Sequence, residues 1–281
     1  MSSAVASVLT HTPGTGAAPA GAPSNRAPII AASLLAVLLA GAALAPVLAP
    51  YTMDALDLAN RRAAPSSLHW FGTDELGRDL LTRVLFGARV SLAIGLVSAL
   101  VSAAIGAAVG AIAGYAGRVI DDILMRMTDA MLAIPRLPLL MITAAVLQPG
   151  VPLLVLLVGV AGWMETARVV RAEVLSLAAR DFVSAARAVG ASPLRVVLRH
   201  VLPGVLPAAA VATTLAVGRG ILLESALSFF GVGVQPPTAS WGNMLYQAQT
   251  TMTSEPWLAI FPGAMIFLTV LACNAVGDAI G

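Results

Sequence analysis

The sequence predicts an all-α polytopic membrane protein with six transmembrane helices. Three observations carry that prediction. Hydrophobic residues make up 58% of the 281 and charged residues only 11%, with a mean hydropathy of +0.89; soluble domains carry roughly 25% charged residues. Uncharged apolar runs recur along the chain, most of them near the ~20 residues a span needs. The charges gather between those runs, and all 16 basic residues are Arg, with no Lys. The missing lysine rules out a P-loop lysine and a lysine Schiff base in this chain. Cys273 stands alone in an apolar run, so no intrachain disulfide or cysteine metal site is expected. His11, His69 and His200 lie in different segments, so a histidine-ligated metal centre is not expected either.

Residues 1–26 are mostly Ala, Pro, Gly, Ser and Thr with one charge, Arg26, and are expected to form a disordered tail. Residues 27–49 are uncharged and rich in Ala and Leu, and give transmembrane helix 1. Ala43-Leu44-Ala45 resembles a leader cleavage site, but the polar lead is long and lacks a basic cluster, so a retained span is expected. The 50–88 segment is polar, with five acids and four arginines. Within it, 72–89 reads as an amphipathic helix lying at the membrane surface. Thr73 or Asp74 would cap it, and Leu76, Leu80, Leu81, Val84 and Leu85 would form its apolar stripe.

From residue 89 onward the chain reads as one membrane core, 89–281. Span 2 is the charge-free run 90–117. Ser98, Ser102, Gly106, Gly110 and Gly114 recur every four residues there, a ridge of small side chains suited to close helix packing. Leu137 to Leu147 is too short to cross ~30 Å at 1.5 Å per residue, so span 3 must begin near Ile123 to Asp129. That places Arg136 in or near the bilayer between Pro135 and Pro138, where facing an aqueous cavity and snorkelling to the interface both remain open. Val151 to Met164 is span 4, leading to a helical exit with Glu165, Arg168, Arg171 and Glu173. Gly204 to Phe229 is span 5. It contains Arg219 and Glu224, five apart and so not an (i, i+4) pair, whose partners are expected on other helices or another subunit. Residues 229–256 form a loop rich in Gly and Pro, and Trp257 to Gly277 is span 6. Arg136, Arg219 and Glu224, ionisable groups inside apolar runs, are the candidate path or gate residues.

Between spans 4 and 5 lies the polar stretch 181–207. Phe182 to Val189 has helical composition, Gly190 can end that helix, Ser192 can cap the next, and Pro193 falls in its first turn. With Arg187, Arg195, Arg199 and His200 it forms a compact helix–turn–helix knob suited to an acidic groove on another protein. Segment 165–200 holds six arginines against three acids, 229–256 holds no arginine, and 50–89 balances five against five. The positive-inside rule therefore puts the knob and both termini in the cytoplasm, with 50–88 and 229–256 outside.

The knob resembles the cytoplasmic coupling loop of bacterial ABC-importer permeases, the EAA motif. Ser184-Ala185-Ala186, Gly190, His200 and Leu202-Pro203 occupy its spacing, with Ser184 where the motif has a glutamate and His200 where it has an isoleucine. Residues 69–95 and 222–245 resemble the signatures before span 2 and after span 5 of the C-type permease subunit of dipeptide, oligopeptide and nickel importers, and Phe261-Pro262-Gly263 fits the start of its last span. The resemblance covers about residues 28–281. It implies a type I ABC-importer permease fold with coupling loop 166–203. Within it Ser184, Ala185, Ala186, Arg187, Gly190, Ser192, Pro193, Arg195, Leu202 and Pro203 would engage the ATPase.

The resemblance further implies a multi-pass subunit of the bacterial plasma membrane that forms half of a translocation path. The expected partners are a homologous B-type permease, two cytoplasmic ATPase subunits or domains and an external solute-binding protein, besides membrane lipid; no nucleic acid is expected. The chain itself would be non-catalytic and hold no cofactor, with ATP and Mg bound by partner subunits. Peptides are the expected substrate, with nickel or glutathione as alternatives within the family. An ion-coupled secondary transporter is the alternative of another class; the lack of an internal repeat counts mildly against it. An aspartyl intramembrane protease built on Asp129 and Asp278, and a structural scaffold, fit less well. Members of the family usually continue past Gly277-Asp278 into a short charged tail, so a shortened C-terminus is expected at Gly281.

Overall fold

The computed structural model describes residues 26–148 and 150–280, and among them it is helical, with one isolated β-bridge between Thr73 and Asp79. The tail expected over 1–26 lies outside the described residues apart from Arg26, whose backbone opens α1. Helix α1 spans Arg26–Ala43 and a short α2 spans Ala45–Leu48. The helix expected over 27–49 is thus split in two, with a break at Leu44 ahead of Pro46.

The 50–88 segment corrects the sequence reading. No helix starts at Thr73 or Asp74. Residues 50–79 are a folded loop with one 3-10 turn, Leu58–Asn60. A second turn, at 74–78, is held by Asp74, which accepts from the backbone N–H of Leu76 (2.9 Å) and Arg78 (3.0 Å) and from Arg78 Nε (2.6 Å). Gly77 takes φ +76, a conformation no helix permits, and a side chain there would run into the Asp57 carbonyl. At the 3-10 turn the Asn60 amide donates to Asp57 at 2.7 Å and holds that exposed carboxyl below the usual carboxylate range. The helix begins only at Leu80, where Asp79 caps it by accepting from Thr82 N at 2.8 Å. His69 Nδ1 lies 3.0 Å from the other Asp79 oxygen and stacks on Tyr51. The apolar stripe is real from Leu80 onward. Leu80 and Val84 are buried against Met244, Ala248 and Leu258 rather than lying on a membrane surface.

Helix α3 therefore runs 37 residues, Leu80–Ala116, through the span placed at 90–117. Its small-residue ridge packs directly on α7 (Trp163–Ala178). A methyl built on Gly110 would lie 2.5 Å from the Ala167 carbonyl oxygen and 2.9 Å from Val170 Cβ. The two backbones thus approach as closely as glycine allows.

Helices α4 (Arg118–Ala133) and α5 (Arg136–Leu147) meet at a 78° bend. Ile134 is extended ahead of Pro135, as the residue before a proline tends to be. The third segment does begin upstream of Leu137, but as a broken pair. The fourth is also bent, by 42°, between α6 (Val151–Val160) and α7. Helices α8 (Asp181–Ala188) and α9 (Pro193–Val196) follow, then a π-type stretch Val197–Val201 running into α10 (Leu202–Phe229). Pro203 has no N–H for the carbonyl four residues back, and the backbone widens at that point. Helix α11 (Trp241–Ala248) lies within the segment read as a loop, and α12 (Trp257–Ile280) closes the chain.

Three helices, Leu80–Ala116, Pro193–Phe229 and Trp257–Ile280, are long and apolar enough to cross a membrane. Counting each bent pair as one span gives up to five, beside the shorter apolar helix Pro28–Ala43. The central helix is α3, packed on α7, α10, α6 and α1.

Candidate functional site: a mid-helix charge cluster and an arginine-rich knob

Two of the three candidate path residues meet, and a third, unexpected residue joins them. The bend between α4 and α5 puts Arg136 in the first turn of α5, and the bend between α6 and α7 puts Glu165 in the first turn of α7. Arg136 Nη2 donates to Glu165 Oε1 at 3.0 Å, and Arg219, from the middle of α10, pairs with the other carboxylate oxygen. All three side chains are partly exposed, at 22%, 37% and 42% for Arg136, Glu165 and Arg219. They line a cleft whose far wall is α3, at Ser98 and Ser102. The sequence reading missed Glu165 as a member. Its neighbours Arg168 and Arg171 made it look like one charge of a helical exit, whereas those two pair with Asp129 and Asp121 of α4.

Glu224 lies apart from this cleft. It is fully buried, and its oxygens accept from Ser228 Oγ (2.8 Å), Ser240 Oγ (2.8 Å), Ser91 Oγ (3.2 Å) and, weakly, Ser225 Oγ (3.5 Å). Three of those hydroxyls each accept a backbone N–H in turn. Val234 donates to Ser228, Trp241 to Ser91 and Asn243 to Ser240. A single carboxylate thereby ties α10 to α3 and to the segment that carries α11. The expectation that Arg219 and Glu224 find partners on other elements agrees with these contacts. The signal for the cage was present in Ser228, one turn beyond Glu224, and in the Ser240/Asn243 capping box.

The knob is built on a valine cluster. Val183 of α8, Val196 of α9 and Val201 are buried against Val170 and Val174 of α7. Gly190 takes φ +83 between α8 and α9, the left-handed conformation a helix C-terminus favours. Ser192 is extended at the start of α9 as expected, but its side chain makes no capping hydrogen bond. The Arg187 guanidinium sits over the Tyr115 ring at 5.3 Å, tethering the knob to the end of α3. Ser184, Ala185, Arg187, Gly190, Ser192, Pro193, Arg195 and Pro203 are exposed; Ala186 and Leu202 are half-buried. The knob joins its two flanking spans differently. It is continuous with α10 through Pro193–Phe229, whereas α8 is separated from α7 by Ala179 and Arg180.

A helix–turn–helix knob continuous with one long span, beside a bundle of bent spans, is an arrangement that can pass a push from one side to the other. Comparison with known proteins shows the family. Residues 106–281 match the family of binding-protein-dependent transport system inner membrane components. The chain belongs to this family. It is 41% identical over 256 residues to a putative peptide permease protein of Brucella suis, covering 90% of this chain and 85% of that one. It is 35% identical over 255 residues to the oligopeptide transport system permease protein of Bacillus subtilis, covering 91% and 84%. It is 40% identical over 249 residues to the glutathione transport system permease protein of Escherichia coli, covering 88% and 82%. The chain is thus an ABC-importer permease subunit of the inner membrane, working in a complex with other subunits.

Proposed function

We propose that this permease forms half of the translocation path for dipeptides or oligopeptides and is driven by ATP hydrolysed on two partner ATPase subunits. A homologous B-type permease supplies the other half of the path, and an external solute-binding protein delivers the peptide. The knob, 181–203, docks into the ATPase on the cytoplasmic side, with both termini on that side. ATP and Mg are held by the ATPases, so the chain binds no cofactor. The relatives named for peptides, for an oligopeptide and for glutathione, itself a tripeptide, support the substrate class.

The observation that carries the coupling role is the knob's outer surface. Phe182, Val189, Leu194 and Leu198 are exposed beside Arg195 and Arg199, an apolar and cationic face left open among the described residues. Because Pro193–Phe229 is one helix, a displacement of that face reaches Arg219 along the same rod. The test is Gly190→Val. Its Cβ would meet nothing within 4 Å, so the change acts through the φ of +83, which costs a β-branched residue about 1–2 kcal/mol. Peptide uptake and co-purification of the ATPase are expected to fall with membrane insertion intact. If neither changed, the docking role would be wrong.

A further inference from the structure

The cleft between α3, α7 and α10 has a charge surplus. Its lining contains three ionisable groups, Arg136, Glu165 and Arg219, two guanidiniums against one carboxylate. Glu165 gives one oxygen to each arginine, so both of its oxygens are engaged while each guanidinium keeps unspent N–H donors. A second, independent feature faces the same cleft. Ser102 is 2% exposed and its hydroxyl has no hydrogen-bond partner, which is costly for a buried polar group. Gly162, one turn before Glu165, leaves the space in front of it; a methyl there would come within 2.9 Å of Ser102 Oγ.

We propose that this cleft is a transient binding site for a carboxylate of the transported molecule, the free C-terminus of a peptide. The inference rests on the peptide reading given above. A planar carboxylate suits guanidinium forks, and the surplus positive charge, set among apolar helices, attracts an anion and repels a divalent cation. The Ser102 hydroxyl donates to the same oxygen atoms. Glu165 moderates the site: two unopposed guanidiniums in this setting would hold an anion too firmly, and a path must release what it binds.

The test uses the complete complex, with its partner permease, ATPases and binding protein, reconstituted in vesicles. Uptake of one labelled peptide is compared with uptake of the same peptide as its C-terminal amide, in the unaltered complex and in Arg219→Gln. The binding protein is the same in both, so its own preference cancels in the ratio. Arg219→Gln keeps the Arg136–Glu165 pair and removes the surplus charge. Uptake of the free acid should fall about tenfold, uptake of the amide should change less than about twofold, and Arg219→Lys should recover most of the loss. Arg136→Gln should shift the same ratio in the same direction. If acid and amide fall together, or neither falls, the carboxylate site is overturned. If Arg219→Gln stops the partner permease from co-purifying, the surplus charge is matched by that partner and the proposal falls. If the unaltered complex carries neither form, the peptide reading fails first, before any variant is compared.

Discussion

Glu224 is an acceptor among donors, and that polarity is specific. Each of three serine hydroxyls donates a hydrogen bond to the carboxylate and accepts one from a backbone N–H of the 230–243 segment. Glu224→Gln keeps the shape but brings in an amide that must donate where only donors stand. A cost of about 1–3 kcal/mol is expected, read as a lower melting temperature of the purified complex and faster proteolysis between 230 and 256. Glu165 predicts the opposite kind of change. If it tempers the two arginines, Glu165→Gln should lower the KM for peptide and the maximal uptake rate together, each by about fivefold, in a transport assay. At this scale the sequence was half legible. Arg219 and Glu224 stood out as charges inside apolar runs, but which groups they meet depends on residues up to 133 positions away in the chain, such as Ser91. Composition and spacing do not encode such meetings. Glu165 was hidden by the arginines beside it.

At the scale of elements, α3 shows what local pattern reveals and what it conceals. The small residues from Ser98 to Gly114 announced a packing face, and α7 occupies it from Gly106 to Gly114 while α6 and α10 meet Ser98. Gly110→Leu should force α7 away from α3, because even a methyl would meet the Ala167 carbonyl oxygen at 2.5 Å. A loss of about 1–3 kcal/mol or more is expected, seen as a fall in thermal stability in detergent. The start of the same helix was misplaced because Thr73, Asp74 and Asp79 are all good capping residues. Only the loop geometry decides among them. Gly77 and the Asp74 turn consume the earlier two, leaving Asp79. Asp79→Ala should cost about 0.5–2 kcal/mol and free the buried His69 from its partner, detectable as faster hydrogen exchange over 66–83. Helix α11 escaped notice because its eight residues sit among Gly and Pro and its capping box uses Asn243 in place of Glu or Gln.

Across the whole molecule, α3 touches both working ends. At 37 residues and 1.5 Å each it is ~55 Å long, more than the ~40–45 Å of a bilayer with its headgroups. One end is fixed by Asp79 and by Arg83, which donates to Gln247 of α11; the other carries Tyr115 under Arg187 of the knob. Tyr115→Leu removes a contact worth about 0.5–1 kcal/mol and lets the knob move without α3. The expected result is an unchanged rate of ATP hydrolysis with about two- to fourfold less peptide taken up per ATP, measured in reconstituted vesicles.

The serine cage around Glu224 also bears on how the chain is made. Ser225 and Ser228 travel with the carboxylate on α10, and Ser91 has been synthesised long before it. Ser240, one of the two closest donors, emerges from the ribosome sixteen residues after Glu224. Until then the newly inserted helix carries a polar carboxyl group with an incomplete shell in hydrocarbon, a state that costs several kcal/mol. Arrival of Ser240 and α11 removes that cost. The segment from Ser240 onward is therefore a clasp that seals helices already in the membrane, and a ribosome stalled before residue 240 should leave α10 loosely held and open to quality-control proteases.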